Sequence, residues 1–188
     1  MLISRINDFH HRLLTLFIRE GEPVVDCTVG NGHDALFLAE RIGRTGFLFG
    51  FDVQQEAIEA TGARLREGGI DPERYLLIRD SHRKIGEYVP GGIGAVVYNL
   101  GYMPGGDRAV VTDGETAVAS VDSALRLIRP EGVVSITLYY GHEGGREEAQ
   151  GLLDYVRTLD HGNFKVLHLN YPNFPKDPPS ILLIQRAE

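Results

Sequence analysis

The sequence predicts an α/β fold, with a mostly parallel sheet that carries helices on both of its faces. Two observations support this prediction. Short runs rich in valine, isoleucine, leucine and phenylalanine alternate with longer segments whose apolar residues recur at helical spacing. In addition, polar or glycine-rich residues follow most of the apolar runs, as expected where parallel strands end and their loops gather at one edge of a sheet.

The first predicted element is a helix over residues 3–19, whose apolar residues have helical spacing; Gly21 and Pro23 end it. Five short apolar runs then predict strands at 23–28, 46–51, 75–78, 94–98 and 132–138. Amphipathic segments predict helices at 33–42, 54–67, 115–128 and 144–159. Strand and helix therefore alternate, which is the pattern of parallel strands joined by crossover helices.

The chain closes with two strands, near 164–169 and 180–185, that a proline-containing loop over 172–179 joins without a helix. Such a pair is expected to form an antiparallel hairpin at one edge of the sheet. Seven mostly parallel strands with an antiparallel edge strand resemble the Rossmann-like class I methyltransferase fold. The length of 188 residues suits a single domain, with an N-terminal helix in 1–20 and a Rossmann-like core in 23–188.

Composition and charge exclude several classes of protein. The net charge of −7 argues against a broad, non-specific nucleic-acid binder, although a local basic patch for one RNA loop remains compatible. The single cysteine, Cys27, gives neither a disulfide framework nor a cysteine metal cluster, and no metal is assigned. Neither a signal peptide nor a run of about 20 apolar residues is present, so we expect a cytoplasmic enzyme without a membrane span.

The most informative segment is the first strand with its following turn. The strand leads into Gly30-Asn31-Gly32, and the second strand ends at Asp52, twenty residues after the second of these glycines. A strand, a tight turn that lets a ligand approach the backbone, and an acid at the tip of the next strand predict a nucleoside site. The acid is placed to accept hydrogen bonds from ribose hydroxyl groups.

The charges around this turn favour S-adenosylmethionine over a dinucleotide as the cofactor. Asp34 lies in the first turn of the following helix and Asp26 ends the first strand, so both carboxylates would repel a pyrophosphate. They suit the sulfonium and amino groups of S-adenosylmethionine. A structural turn without any ligand is the remaining alternative.

Polar residues at the ends of the other strands extend the predicted site. Asp80-Ser81 is predicted to bind adenine, with a helix cap as the alternative, and His82 fits either the wall of the site or a surface loop. The predicted cofactor-binding residues are Asp26, Thr28, Gly30, Asn31, Gly32, His33, Asp34, Asp52, Gln54, Asp80, Ser81, His82 and Asn99.

The residues Asn99-Leu100-Gly101-Tyr102 resemble the Asn-Pro-Pro-Tyr type of motif found in amino-group methyltransferases, with Gly101 where a proline is usual. An asparagine carbonyl can accept an N–H bond from the substrate amine and aim its lone pair, while an aromatic ring can stack on a base. A purely structural turn at the end of the strand is the alternative interpretation.

Further residues complete the predicted chemistry. Asp107 and His142 are candidate proton acceptors, with a purely structural histidine as the alternative for His142, and Tyr140 is expected to line the opposite wall and contact substrate. Arg5 and Arg12 recur at seven-residue spacing with Arg19 on the first helix, which fits either a solvated face or an RNA-binding face. Arg83 and Lys84 are additional candidate phosphate contacts.

Taken together, the segments 28–34, 80–82, 99–107, 140–145 and 173–179 resemble the bacterial rRNA-methylase family related to YtqB, over nearly the whole chain. Members of that family are associated with modification of the tRNA wobble uridine (the MnmM activity). The resemblance implies methylation of the 5-aminomethyl group of 5-aminomethyl-2-thiouridine at position 34, an anticodon loop as the partner, and a homodimer. The loop over 171–175 is a candidate dimer contact or a substrate lid.

Three alternatives stay open at this point. The same scaffold could serve an rRNA methyltransferase, as the family's older label has it, or a small-molecule N-methyltransferase, although the acidic balance of the chain fits an anticodon loop better than a ribosomal surface. A non-catalytic protein that binds S-adenosylmethionine is the third alternative, which Asn99 and Tyr102 argue against.

Overall fold

The computed structural model describes residues 6–100, 114–141, 144–174, 176 and 178–188, and its strands form one seven-stranded sheet. The strands are β1 (Pro23–Asp26), β2 (Phe47–Asp52), β3 (Tyr75–Arg79), β4 (Ile93–Leu100), β5 (Ile128–Leu138), β6 (Phe164–Leu169) and β7 (Ser180–Arg186). The helices are α1 (Ile6–Leu14), α2 (His33–Arg41), α3 (Gln55–Glu67), α4 (Ile85–Tyr88), α5 (Gly114–Leu127) and α6 (Gly145–Arg157), with 3-10 turns at Pro72–Arg74 and His82–Lys84.

The strand order is β3-β2-β1-β4-β5-β7-β6, and β7 runs antiparallel to both of its neighbours while the pairs among β1 to β5 are parallel. The predicted α/β fold and its closing hairpin are thus confirmed. β6 forms the predicted antiparallel edge strand, and β7, which runs against both of its neighbours, lies next to it inside the sheet. The burial pattern explains this order: the apolar run of β7 is buried on both faces, whereas β6 alternates between exposed and half-buried residues.

Helices cover both faces of the sheet, as predicted. On one face Leu14, Leu38 and Leu65 of α1, α2 and α3 belong to one buried apolar cluster. On the other face Ile85 and Val121, from α4 and α5, belong to a second cluster together with residues of α6. Burial of these apolar side chains drives the layers together.

The N-terminal helix is shorter than predicted. It ends at Leu14, after which Leu16 and Phe17 donate to carbonyls three residues back, in tight turns rather than α-helix. Arg19 therefore lies outside the helix and forms an ion pair with Glu131. The predicted common helix face for Arg12 and Arg19 is consequently wrong.

Other boundaries moved by smaller amounts. β5 starts at Ile128, four residues before its predicted start, and includes Glu131 in a left-handed conformation with φ of 61°. Its pairing with β4 shifts register between Ile93 and Ala95. Such an irregularity adds residues to a strand without extending its apolar run, so the apolar pattern predicted only the regular part.

Candidate active site

The candidate site lies where the strand order reverses, at the carboxyl ends of β1 and β4. A doubly wound sheet leaves a crevice at such a point. Here the hydroxyl of Thr28 accepts a hydrogen bond from the backbone N–H of Asn99 at 2.7 Å, and the N–H of Thr28 donates to Asp26 at 3.1 Å. The two strand ends and their polar side chains are therefore held together.

The glycine turn between β1 and α2 has the left-handed backbone that glycine adopts without strain. Gly30 has φ of 48° and Gly32 has φ of 77°. A Cβ on Gly32 would lie 2.8 Å from the Cα of Thr61, whereas a Cβ on Gly30 would meet nothing nearer than the Thr28 carbonyl at 3.9 Å. Gly32 is thus needed for packing against α3, and Gly30 faces open space that a ligand can occupy.

Asp52, at the tip of β2, is fixed by two backbone donors. One carboxylate oxygen accepts from the N–H of Gly30 at 3.1 Å and the other from the N–H of Gln54 at 3.0 Å. Each oxygen keeps a second lone pair. The carboxylate, which lies between the glycine turn and the start of α3, can therefore still accept hydrogen bonds from a pair of hydroxyl groups.

Asp26 is fully buried at the end of β1. One of its oxygens accepts from Thr28, but the other is buried without a hydrogen-bond partner among the described residues. Burial raises the pKa of Asp26 well above its ordinary value, and the nearby carboxylates of Asp34 and Asp52 raise it further. An acidic pocket with an unsatisfied buried oxygen fits a cationic ligand and opposes a phosphate.

Asp34, in the first turn of α2, joins the N-terminal helix to β4. One carboxylate oxygen accepts from His11 Nε2 at 2.6 Å, and the other accepts from the side-chain amide of Asn99. Burial by itself would raise the pKa of Asp34, but the hydrogen bond and charge of His11 outweigh it, with help from Asn99, so the pKa lies below its ordinary value. The His11 ring stacks on Phe37 at 4.0 Å with 3° between the planes.

Sequence reasoning missed His11 and its neighbour His10. His10 is buried and forms a 2.5 Å hydrogen bond with the hydroxyl of Ser135 in β5, and burial lowers its pKa to about 4. These contacts anchor α1 beside the site. The sequence offered a weak signal only: two adjacent histidines in an amphipathic helix otherwise predicted to pack through leucine, isoleucine and phenylalanine.

The loop after β3 is stabilised largely by itself. The carboxylate of Asp80 accepts from the N–H of Ser81 at 2.8 Å, from Lys84 Nζ at 3.0 Å and from the Tyr88 hydroxyl at 2.8 Å. The bonds from Lys84 and Tyr88 lower the pKa of Asp80. Ser81 caps the 3-10 turn by accepting from Arg83 N–H at 3.3 Å. The capping alternative therefore describes Ser81, and adenine binding stays a prediction for both residues.

His82 lies in the interior and packs edge-on against Tyr98, with ring centroids 5.5 Å apart. Burial lowers its pKa to about 4. The surface-loop alternative for this histidine is wrong. Cys27 is also buried, as expected of a small core residue.

Two tyrosines lie beyond the end of β5. The hydroxyl of Tyr140 hydrogen bonds to Ser180 at 2.7 Å, and His168 contacts the same serine at 2.9 Å. Tyr139 donates to Asn7 of α1 at 3.5 Å, and burial together with the Asp34 charge raises its pKa. The predicted wall is present, but Tyr140 is held by β7, so its role with substrate stays a prediction.

The remaining predicted site residues include some that the structure describes and some that it does not. Arg12 and His33 are exposed, Gln54 is the N-cap residue of α3, and the Asn31 carbonyl accepts from Arg64 at 2.6 Å. Four predicted residues lie outside the described residues: Arg5, Tyr102, Asp107 and His142.

In the part of the chain that the structure describes, no helix is both long and apolar enough to cross a membrane.

Comparison with known proteins finds relatives that are each named as a methylase or a methyltransferase. A family model described as "Putative rRNA methylase" matches residues 48–185. A chloroplastic tRNA (mnm(5)s(2)U34)-methyltransferase of Arabidopsis thaliana is 32% identical, over 97% of this chain and 70% of its own length. A "putative rRNA-methylase" from Clostridium thermocellum superposes with a TM-score of 0.94 at 33% identity, covering 99% of this chain and 100% of that one. A "putative methyltransferase" from Streptococcus mutans in complex with SAH gives a TM-score of 0.87 at 30% identity, covering 98% of this chain and 99% of that one.

Proposed function

This chain belongs to the rRNA-methylase family and is a class I methyltransferase that uses S-adenosylmethionine, and from this premise we propose that it methylates the amine of 5-aminomethyl-2-thiouridine at position 34 of tRNA. The observation that carries the proposal is the side chain of Asn99, held by Asp34 at the crevice between β1 and β4. The Arabidopsis relative, whose name specifies a wobble-uridine methyltransferase, supports this substrate over others.

The acidic crevice fits the cofactor on grounds of charge. We propose that Asp26, whose second oxygen is buried without a partner among the described residues, receives the amino group of the cofactor. Asp52 would accept the ribose hydroxyls, and the open space over Gly30 would take the adjoining part of the ligand. When bound, S-adenosylmethionine supplies an electrophilic methyl group on a sulfonium.

The reaction forms a nitrogen–carbon bond, breaks the carbon–sulfur bond and releases one proton from the amine. The amine must arrive neutral, although in water its pKa would be about 10, like that of a lysine. Removing it from water favours the neutral form. Asn99 then accepts one N–H and aims the lone pair, and Asp107 or His142 takes the proton. Aiming of this kind supplies much of the rate in displacement reactions.

The RNA partner is expected to have a small footprint, because the net charge of −7 leaves little basic surface. We propose the anticodon loop, contacted by Arg12, Arg83 and Lys84, which are exposed. Arg5, outside the described residues, is a further candidate contact. Lys84 already forms an ion pair with Asp80, so its phosphate contact would compete with that pair. A cytoplasmic location belongs to the same proposal, as does a homodimer.

The exposed edge of the sheet supports the homodimer. Leu167 of β6 is 59% exposed and Phe174, in the following loop, is 57% exposed beside Tyr171. Exposed apolar side chains next to an edge strand are common at contacts between subunits. A substrate lid is the other use of this loop, and a Phe174→Lys variant separates the two uses by light scattering and tRNA binding. A monomer with normal tRNA affinity supports the dimer contact, whereas weakened tRNA affinity without dissociation supports the lid.

The proposal is tested in cells that lack the gene. Mass spectrometry of their tRNA nucleosides should show 5-aminomethyl-2-thiouridine accumulating and its methylated product lost. An unchanged tRNA profile, with a methyl group missing from ribosomal RNA instead, would favour the rRNA alternative. A small-molecule enzyme would change neither RNA.

A further inference from the structure

Three elements meet at one carboxylate in the candidate site. Asp34 of α2 accepts from His11 of α1 through one oxygen, at 2.6 Å, and from the side-chain amide of Asn99 of β4 through the other. Both oxygens are thus engaged by side chains of the protein itself. The side chain of Asp34 is 14% exposed and that of His11 is 26% exposed, so water competes poorly for these bonds.

We propose that His11 and Asp34 are positioning residues that fix which end of the Asn99 amide faces the substrate. This inference rests on the proposed function, in which the carbonyl oxygen of Asn99 receives an amine N–H. A carboxylate can only accept hydrogen bonds, whereas an amide can turn either its N–H or its C=O toward a neighbour. A flipped Asn99 would set its oxygen against an oxygen of Asp34. The carboxylate therefore holds the N–H end, and the carbonyl end is left for the substrate.

His11 completes the arrangement by fixing the carboxylate. Its Nε2 donates to Asp34 while its ring is stacked on Phe37, from the same helix as Asp34. Without this donor, the Asp34 carboxylate would keep its bond to Asn99 but would be free to rotate or to take up water. Charge-assisted hydrogen bonds of this kind are stronger than neutral ones. Loss of the bond from His11 to Asp34 therefore leaves the orientation of the Asn99 amide less well fixed.

Two substitutions separate the donor from the ring. His11→Phe keeps an aromatic ring that can stack on Phe37 and removes the donor, whereas His11→Gln removes the ring and keeps an N–H near the position of Nε2. We expect His11→Phe to lower kcat about tenfold, with S-adenosylmethionine affinity within twofold of wild type. His11→Gln should retain most of the turnover.

A second readout does not depend on the substrate. In NMR spectra of the protein with S-adenosylmethionine bound, the Asn99 side-chain amide protons should exchange with water faster in His11→Phe than in wild type or His11→Gln. Equal loss of kcat in both variants would overturn the proposal in favour of ring stacking. Unchanged kcat and exchange in His11→Phe would also overturn it, as would a loss of cofactor affinity that accounts for the loss of turnover.

Asp34→Asn, nearly identical in size, decides the matter should His11→Phe fail to fold. With S-adenosylmethionine saturating, it should lose turnover by more than His11→Phe would, because an amide at 34 has a single acceptor oxygen for the two donors. Wild-type turnover in Asp34→Asn would overturn the proposal. Should the wild-type protein fail to methylate the wobble amine, the proposed function fails, while the amide-exchange comparison still decides whether His11 positions Asn99.

Discussion

The contact between α1 and the sheet should make the protein sensitive to acid through His10. The folded protein favours the neutral imidazole, because burial lowers the pKa of His10 from 6.5 to about 4. That difference corresponds to about 3 kcal/mol of free energy of unfolding for a fully buried group. The contribution is complete above the ordinary pKa of 6.5 and is lost progressively as the pH falls toward 4.

The variant His10→Gln isolates this effect, since glutamine can still hydrogen bond to Ser135 but does not titrate. Urea unfolding of both proteins at several values between pH 7.5 and 4.5 gives the free energy of unfolding at each pH. The free energy of unfolding of wild type minus that of His10→Gln should decrease as the pH falls, by most of the contribution of about 3 kcal/mol from His10. As the pH falls, the lowered pKa of His82 also reduces stability, whereas the raised pKa of Asp26 has the opposite effect. Both residues are present in wild type and in His10→Gln, so their effects cancel in the difference.

His161→Gln is the matched control, because the His161 side chain is 96% exposed. Its unfolding curve should follow wild type at every pH. Parallel curves for wild type and His10→Gln would refute the reasoning, because they would mean that the imidazole is not held neutral by burial. Since His10 anchors the helix that carries His11, turnover should also fall in the same pH range.

Further predictions concern the cofactor crevice. Asp26→Asn should raise the free energy of unfolding at pH 7.5, because the raised pKa of the buried Asp26 carboxyl costs stability at every pH above the ordinary pKa of that group. The same change should weaken S-adenosylmethionine binding at least about tenfold, as measured by calorimetry. Unchanged affinity would remove this residue from the site. Gly32→Ala should lower the unfolding temperature more than Gly30→Ala, because a Cβ on residue 32 would lie only 2.8 Å from the Cα of Thr61, whereas a Cβ on residue 30 would meet nothing nearer than 3.9 Å. Gly30→Ala should mainly weaken cofactor binding. The reverse order in thermal melts and calorimetry would contradict this description of the turn. Asn99→Ala should keep cofactor affinity and lower turnover about 100-fold. Asp52→Ala should instead lose about 1–3 kcal/mol of cofactor binding free energy. Lost affinity in Asn99→Ala with normal affinity in Asp52→Ala would mean that the two roles were assigned wrongly.

Much of the fold was predictable because it depends on local patterns. Apolar runs predicted each strand of the parallel core, and the glycines at 30 and 32 predicted the turn, whose positive φ angles the structure shows. The position of β7 was in principle available from its sequence. Its run of buried residues, Ile181 to Ile184, is typical of an internal strand, while Lys165 and His168 in β6 suit an edge.

The missed features depend on contacts between residues far apart in sequence. His11 and Asp34 are 23 positions apart, and no periodicity of α1 indicates that this helix turns a histidine toward the crevice. The interpretation of Arg19 failed because the length of α1 was overestimated from its apolar residues. For Asp80, the alternative of local bonding could not be weighed without knowing that Tyr88 folds back onto it.

The central claim, that Asn99 serves methyl transfer to a wobble amine, is tested most directly with purified protein. The protein is incubated with S-adenosylmethionine carrying a deuterated methyl group and with tRNA that bears 5-aminomethyl-2-thiouridine, and the nucleosides are then analysed by mass spectrometry. One labelled methyl should appear on the 5-aminomethyl group in wild type, with far less in Asn99→Ala and none on tRNA with an unmodified wobble uridine. Label at equal rate on unmodified tRNA, or only on ribosomal RNA, would contradict the account.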